Sequence, residues 1–128
     1  DLDSVNVLLK TGSGRQCAIS NSRRATYGYD QRIEVLGSRG MASAENVHET
    51  RVETATSDGY VRPPLQNFFM ERYEAAYADE ISAFVHVVET GTAPPVSGND
   101  GLMALVLAEA ANLSVAESRA VAIDEVLE

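Results

Sequence analysis

The chain has almost no cysteine and no long apolar run, and each absence excludes a class of protein. Its 128 residues include one cysteine, Cys17, so an internal disulfide framework is excluded. No apolar run approaches the roughly 20 residues needed to cross a bilayer. The first residues, DLDSVNVLLKTGSG, lack the basic and apolar regions of a secretion signal. We therefore expect a cytoplasmic protein without a membrane span.

Basic residues are also scarce. The chain has 10 basic and 19 acidic residues, which gives a net charge of −9. The average field of such a chain repels nucleic acid and anionic lipid, so we expect neither as a partner. Five of the ten basic residues nevertheless lie between Arg15 and Arg39, which leaves a local positive patch open. Solvated arginines along a sheet edge are the simpler interpretation of each one.

Motifs that would place a complete catalytic site within the chain are missing. The sequence contains no G-x-G-x-x-G after a strand, no phosphate-binding P-loop, no G-x-S-x-G and no cluster with metal-ligand spacing. We expect neither a catalytic centre nor a metal site here. His48 and His86 are more typical of solvated or core-edge histidines, and Cys17 of a small apolar side chain packed in a strand.

Alternating apolar residues predict β-strands through the first sixty residues. Gly12-Ser13-Gly14 and Gly37-Ser38-Arg39-Gly40 each separate two such runs and predict hairpin turns. Ser57-Asp58-Gly59 predicts a third turn. The predicted antiparallel meander comprises residues 5–9, 17–19, 33–35, 41–45, 47–56 and 60–61.

The period changes after Pro63-Pro64, which cannot donate to a β-ladder. Apolar residues then recur at intervals of three and four and predict one long amphipathic helix over residues 68–90, closed by Gly91. Ser97 and Asp100 have the spacing of a capping box and predict a second helix from residue 98. Residues 120–123 predict a short edge strand.

These elements predict an α+β fold for residues 1–128, with an open-faced, mostly antiparallel sheet and two long helices covering one face. The length is sufficient for one domain with a working core. The uncovered face must meet solvent or another protein, and its apolar residues favour a homo-oligomer formed through that face.

Residues 21–40 crowd arginines, tyrosines and an aspartate into one segment. A ligand with several hydroxyl groups would use such side chains as donors and acceptors, and Tyr73 at the start of the first helix can reach a neighbouring cleft. The alternative is an ordinary ion pair between Asp30 and an arginine, with the tyrosines packed against the sheet. The crowded side chains are Arg23, Arg24, Tyr27, Tyr29, Asp30 and Arg32.

Three segments carry a family resemblance: NSRRATYGYDQRIEVLGSRGM, PLQNFFMERYEAAYADEISAF and PPVSGNDGLMALVLAEAA. In this order they resemble the C-terminal domain of the inositol-dehydrogenase branch of the glucose-fructose oxidoreductase, inositol dehydrogenase and rhizopine-catabolism (Gfo/Idh/MocA) family. The resemblance implies a parent enzyme whose N-terminal Rossmann domain binds NAD or NADP and carries the catalytic lysine, aspartate and histidine. This chain would then be a fragment that binds no cofactor and is inactive alone.

The same resemblance implies a polyol or sugar substrate and a substrate wall formed by Tyr29, Tyr27, Tyr73, Arg24 and Asp30. The chain departs from the family at Glu117-Ser118-Arg119, where a glycine is usual at the middle position, so the end of the last helix is in doubt. A free-standing, non-catalytic α+β binding or oligomerisation module remains the alternative.

Overall fold

The computed structural model describes residues 2–127, in which three β-hairpins precede the helices. Each hairpin is a separate two-stranded sheet, so the predicted meander is divided into three parts. The α+β class is confirmed. The strands are β1 (Ser4–Lys10), β2 (Gln16–Ser22), β3 (Ile33–Gly37), β4 (Gly40–Ala44), β5 (Thr54–Thr56) and β6 (Gly59–Val61).

The hairpins form where glycine turns interrupt alternating apolar residues. In the β3–β4 pair, Ile33 lies opposite Ala44 and Val35 opposite Ala42, which places these four side chains on one face. Gly40 takes a φ of 148°, a conformation that side chains other than glycine avoid. The turn chemistry therefore sets the register.

Four helices follow: α1 (Phe69–Arg72), α2 (Glu74–Thr90), α3 (Gly98–Glu117) and α4 (Asp124–Leu127). The single helix predicted over residues 68–90 is interrupted at Tyr73, whose φ and ψ are −109° and 9°. The Tyr73 N–H still donates to the Phe69 carbonyl at 2.9 Å, and the Tyr77 N–H donates to the Tyr73 carbonyl at 2.9 Å. The helical path is therefore distorted at Tyr73 but continues into α2.

Both predicted helix boundaries around residues 91–98 are confirmed. Gly91 takes a φ of 67°, and its N–H donates to the Val87 carbonyl at 2.9 Å. The Ser97 N–H donates to Asp100 Oδ2 at 2.7 Å, and the Asp100 N–H donates to Ser97 Oγ at 3.4 Å, which completes the capping box.

Two predicted strands are wrong in extent or type. Within residues 47–56 only β5 is a strand, and His48 forms an isolated bridge with Leu65. The prolines preceding Leu65 have no N–H, so the ladder cannot extend through them. Residues 120–123 are not a strand, because the Ala122 N–H donates to Glu125 Oε1 at 2.8 Å and the chain enters α4 at Asp124.

The chain divides into two compact units. One contains the residues up to Asn6 together with Ser20–Asp79, and the other contains Val7–Ile19 and the residues from Glu80 on. Among residues 2–127 the buried apolar side chains are Leu65 in the first unit and Val106 and Ala110 in the second. The expected working core is therefore much reduced, and most apolar faces remain exposed.

Within residues 2–127 no helix combines the length and the apolar character required to cross a membrane.

Candidate functional site

Asp30 is the centre of a polar network in the first unit. Its carboxylate accepts two hydrogen bonds from Arg32, from Nε at 2.8 Å and from Nη2 at 3.0 Å. Asn46 Nδ2 donates at 2.9 Å, and the Tyr27 hydroxyl donates to Oδ2. The side chain of Asp30 is only 16% exposed. We call Tyr27, Asp30, Arg32 and Asn46 the Asp30 network.

The charges in the Asp30 network fix the protonation of its members. Hydrogen bonds from Arg32, Tyr27 and Asn46 hold the pKa of Asp30 well below its usual range, so this carboxylate is ionised at neutral pH. The bond to Asp30 raises the pKa of Tyr27. Asp30 therefore orders the surrounding segment as a fixed anion and is unsuited to act as a general base near pH 7.

Tyr29 belongs to a second group of side chains, which we call the tyrosine cluster: Tyr29, Gln31 and Tyr73. The Tyr73 hydroxyl donates to Gln31 Oε1 at 2.5 Å and lies 3.5 Å from the Tyr29 hydroxyl. The two rings meet edge to face, with centroids 5.7 Å apart and planes at 82°. The hydrogen bond to Tyr73 raises the pKa of Tyr29.

Gly28 separates the two tyrosines and directs them to different partners. Its φ is 127°, and a Cβ built on it would lie 2.5 Å from Leu65 Cβ and 3.3 Å from the Leu65 carbonyl oxygen. The Tyr29 N–H donates to the Gln66 carbonyl at 2.9 Å. The backbone at 28–29 is therefore held against residues 65–66, and only glycine fits the approach.

A polar cleft of about 670 Å³ lies beside the Asp30 network. Tyr27, Asp30, Arg32 and Asn46 all line it, together with His48 and Arg62. His48 Nδ1 donates to the Pro63 carbonyl at 2.7 Å, because a carbonyl oxygen only accepts. The cleft combines hydroxyl, amide and charged groups, which suits a polar ligand better than an apolar one.

Comparison with known proteins identifies the family. The model of the oxidoreductase family, C-terminal alpha/beta domain, of the Gfo/Idh/MocA group matches residues 1–123. The chain belongs to this family. The predicted resemblance is thereby confirmed.

Relatives of this Gfo/Idh/MocA domain include two named inositol dehydrogenases. Inositol 2-dehydrogenase of Rhizobium meliloti (strain 1021) is 60% identical over 123 residues, which cover 96% of this chain and 37% of the relative. Myo-inositol 2-dehydrogenase of Thermotoga maritima is 46% identical over 127 residues, covering 99% and 38%. The chain thus spans less than two fifths of the length of these curated relatives.

A solved structure supports the same fold. The crystal structure of a "probable dehydrogenase" from Thermotoga maritima superposes with a TM-score of 0.94 at 47% sequence identity. The match covers 98% of this chain and 38% of the solved chain. The α+β architecture is therefore that of a Gfo/Idh/MocA C-terminal domain.

The structure brings together only part of the predicted substrate wall. Tyr27 and Asp30 share one network, and Tyr29 and Tyr73 share another. Arg24 joins neither, since its Nη2 pairs with Asp3 Oδ2 at 3.3 Å and both side chains are exposed. The role predicted for Arg24 in binding substrate stays a prediction.

Sequence reasoning missed two members of these networks and misjudged one cysteine. Gln31 and Asn46 were not predicted, because Gln31 bonds Tyr73 at a separation of 42 residues and Asn46 bonds Asp30 at a separation of 16. No local sequence pattern indicates such pairs. Cys17 was expected to pack as an apolar side chain but is exposed on β2. No group of three metal-ligating side chains occurs among residues 2–127.

Proposed function

We propose that this chain is the C-terminal domain of an NAD- or NADP-dependent oxidoreductase that oxidises a ring hydroxyl of myo-inositol or a related polyol to a ketone. The observation that carries the proposal is the 60% identity to an inositol 2-dehydrogenase over 96% of the chain. A non-catalytic module, the alternative from sequence, has no comparable support. The proposed contributions of residues 1–128 are a substrate wall and an oligomer interface.

The starts of the two long helices do not favour a dinucleotide phosphate. The first turns of α2 and α3 carry Glu74 and Asp100, and the Asp100 carboxylate already accepts from the Ser97 N–H at 2.7 Å. A pyrophosphate placed at the start of either helix would meet a like charge. The proposal therefore assigns the cofactor to the part of the relatives that this chain does not cover.

The tyrosine cluster supports a polyol-binding role for this chain. A ring polyol presents several hydroxyl groups, each both donor and acceptor, and the hydroxyl oxygens of Tyr29 and Tyr73 can accept hydrogen bonds from them. The edge-to-face contact of the rings, with centroids 5.7 Å apart, restricts where the two hydroxyl oxygens can lie. Residues held in this way orient a substrate without taking part in the bond changes.

A hybrid enzyme provides the test, with this chain replacing the aligned segment of the 60% identical relative. We expect inositol-dependent NADH formation by the hybrid. Tyr29→Phe removes one neutral hydrogen bond worth about 0.5 to 1.5 kcal/mol, so kcat/KM should fall about two- to tenfold. The melting temperature should change little because the ring remains.

Two variants act as controls for Tyr29→Phe. Tyr60→Phe makes the same chemical change at an exposed position on β6, outside both networks, and should leave kcat/KM unchanged. A fall in kcat/KM for Tyr27→Phe but not for Tyr29→Phe would assign substrate binding to the cleft beside Asp30. An inactive hybrid, or one in which neither tyrosine variant changes kcat/KM, would contradict the proposed substrate wall.

A further inference from the structure

Gln31 makes two hydrogen bonds that the proposed function does not yet use. Its backbone N–H donates to Asn46 Oδ1 at 2.8 Å, and its side-chain Oε1 accepts from the Tyr73 hydroxyl at 2.5 Å. Asn46 also donates to Asp30 at 2.9 Å. The backbone of Gln31 is therefore anchored to the Asp30 network, while its side chain reaches the tyrosine cluster.

The bond to Gln31 fixes the direction of the contact between the two tyrosines. An amide oxygen only accepts, so the single proton of the Tyr73 hydroxyl is directed to Gln31. Tyr73 then has no proton left for Tyr29, and in their long contact of 3.5 Å the donor must be Tyr29. The oxygen of Tyr29 keeps lone pairs that can accept a hydrogen bond from a further group.

We propose that Gln31 is a positioning residue that, through Tyr73, turns the Tyr29 hydroxyl so that its oxygen accepts a hydrogen bond from a substrate hydroxyl. The inference rests on the proposed function, since it assumes that Tyr29 meets the substrate. It adds the polarity of that contact: the substrate donates and the tyrosine accepts.

The packing of the Tyr73 ring supports this polarity. The ring of Tyr73 is also in edge contact with Tyr77, with centroids 6.2 Å apart and planes at 74°. Because the Tyr73 ring is in contact on two sides, its oxygen is held within hydrogen-bond distance of Gln31.

The polarity is testable with substrate analogues in the hybrid enzyme. A deoxyfluoro inositol replaces one hydroxyl by fluorine, which can accept weakly but cannot donate. If Tyr29 is the acceptor, one ring position should show a preference for hydroxyl over fluorine of about two- to tenfold in kcat/KM. Tyr29→Phe should abolish the preference at that position, and Gln31→Leu should reduce it.

Variants of Gln31 separate positioning from a purely structural role. Gln31→Leu should raise KM about two- to tenfold with a smaller change in kcat, and Gln31→Glu should restore most of the loss because a carboxylate oxygen still accepts from Tyr73. Adding Gln31→Leu to Tyr73→Phe should cause no further loss, because Tyr73→Phe already removes the hydroxyl that donates to Gln31. Gln16→Leu, on exposed β2, is the matched control.

The outcomes distinguish this inference from the proposed function. If Tyr29→Phe lowers kcat/KM while the Gln31 variants keep the parental KM and fluorine preference, the positioning role is wrong and the substrate wall stands. A fall in melting temperature without a change in KM would give Gln31 a structural role only. If Tyr29→Phe leaves kcat/KM unchanged, the proposed substrate wall is wrong, and the positioning role of Gln31 is wrong with it.

Discussion

At the scale of single residues, Asp30 is the most strongly connected side chain of the candidate site. Three different side chains donate to it, and one of them, Arg32, uses two nitrogen atoms. Each donor favours the ionised carboxylate, so the folded state binds a proton at Asp30 less readily than the unfolded chain does. This difference links the stability of the first unit to pH.

The sign of the linkage follows from the lowered pKa of Asp30. Its contribution to stability is fully present above the unfolded pKa of about 3.9 and is lost as pH falls toward the lower folded value. The free energy of unfolding should therefore decline below about pH 4. Urea unfolding followed at several pH values would measure the decline, and Asp30→Asn should make it shallower.

Asp58→Asn provides the control for this pH dependence, since Asp58 lies in the exposed turn between β5 and β6, outside the Asp30 network. An equally shallow acid decline in both variants would show that Asp30 is not the group responsible. A parental decline in Asp30→Asn would lead to the same conclusion.

The residue scale also shows how far sequence reasoning extends. Residues 21–40 contain the ion pair that the sequence offered as the alternative to a ligand site, with Arg32 as the partner of Asp30, and the predicted binding role of the segment stays a prediction. Arg24 was grouped with the centre because it lies in the crowded segment and because the family resemblance implied it. Its placement beside Asp3, and that of Asn46 beside Asp30, depend on long-range folding that local spacing does not encode.

At the scale of elements, glycine and capping residues allowed accurate predictions, whereas extended runs did not. The turns near residues 12–14 and 37–40, the stop at Gly91 and the capping box at Ser97 are all present. These signals act through local backbone geometry. The strand expected at residues 120–123 failed because Glu125 caps that segment, an interaction that apolar periodicity cannot reveal.

The end of α3 provides a prediction of its own. Ser118 is the only residue other than glycine with a positive φ among residues 2–127, at φ 53° and ψ 39°. Residues with a Cβ are strained there by roughly 1 kcal/mol or more. Ser118→Gly should therefore stabilise the protein by about 0.5 to 1 kcal/mol and raise the melting temperature. Calorimetry would measure the change.

Ser38→Gly is the matched control for Ser118→Gly, because Ser38 occupies the β3–β4 turn without a positive φ. There the substitution only adds freedom to the unfolded chain, so it should lower the melting temperature. A lower melting temperature in both variants would show that the left-handed conformation at Ser118 is not strained.

At the scale of the whole molecule, the main feature is how much apolar surface each unit leaves exposed. In the first unit Ile33 and Val35 are 63% and 59% exposed, and in the second Phe84 and Val88 are 65% and 66% exposed. Sequence periodicity predicted these apolar faces correctly, but it could not show whether this chain would cover them. Surfaces of this kind are usually buried against a partner in a native assembly.

The proposed homo-oligomer can be tested on the β3–β4 hairpin, whose two faces differ. Ile33, Val35, Ala42 and Ala44 make one face entirely apolar, which we call the apolar face, whereas the other face mixes Glu34 and Ser43 with the exposed Leu36 and Met41. If the apolar face mediates self-association, Val35→Lys should shift the chain toward the monomer in light scattering, because a buried lysine loses its hydration without a partner. Ser43→Lys adds the same charge on the other face, beside Glu34, and should preserve the oligomer. A strictly monomeric parent chain at high concentration, or equal loss of association in both variants, would exclude this face as the interface.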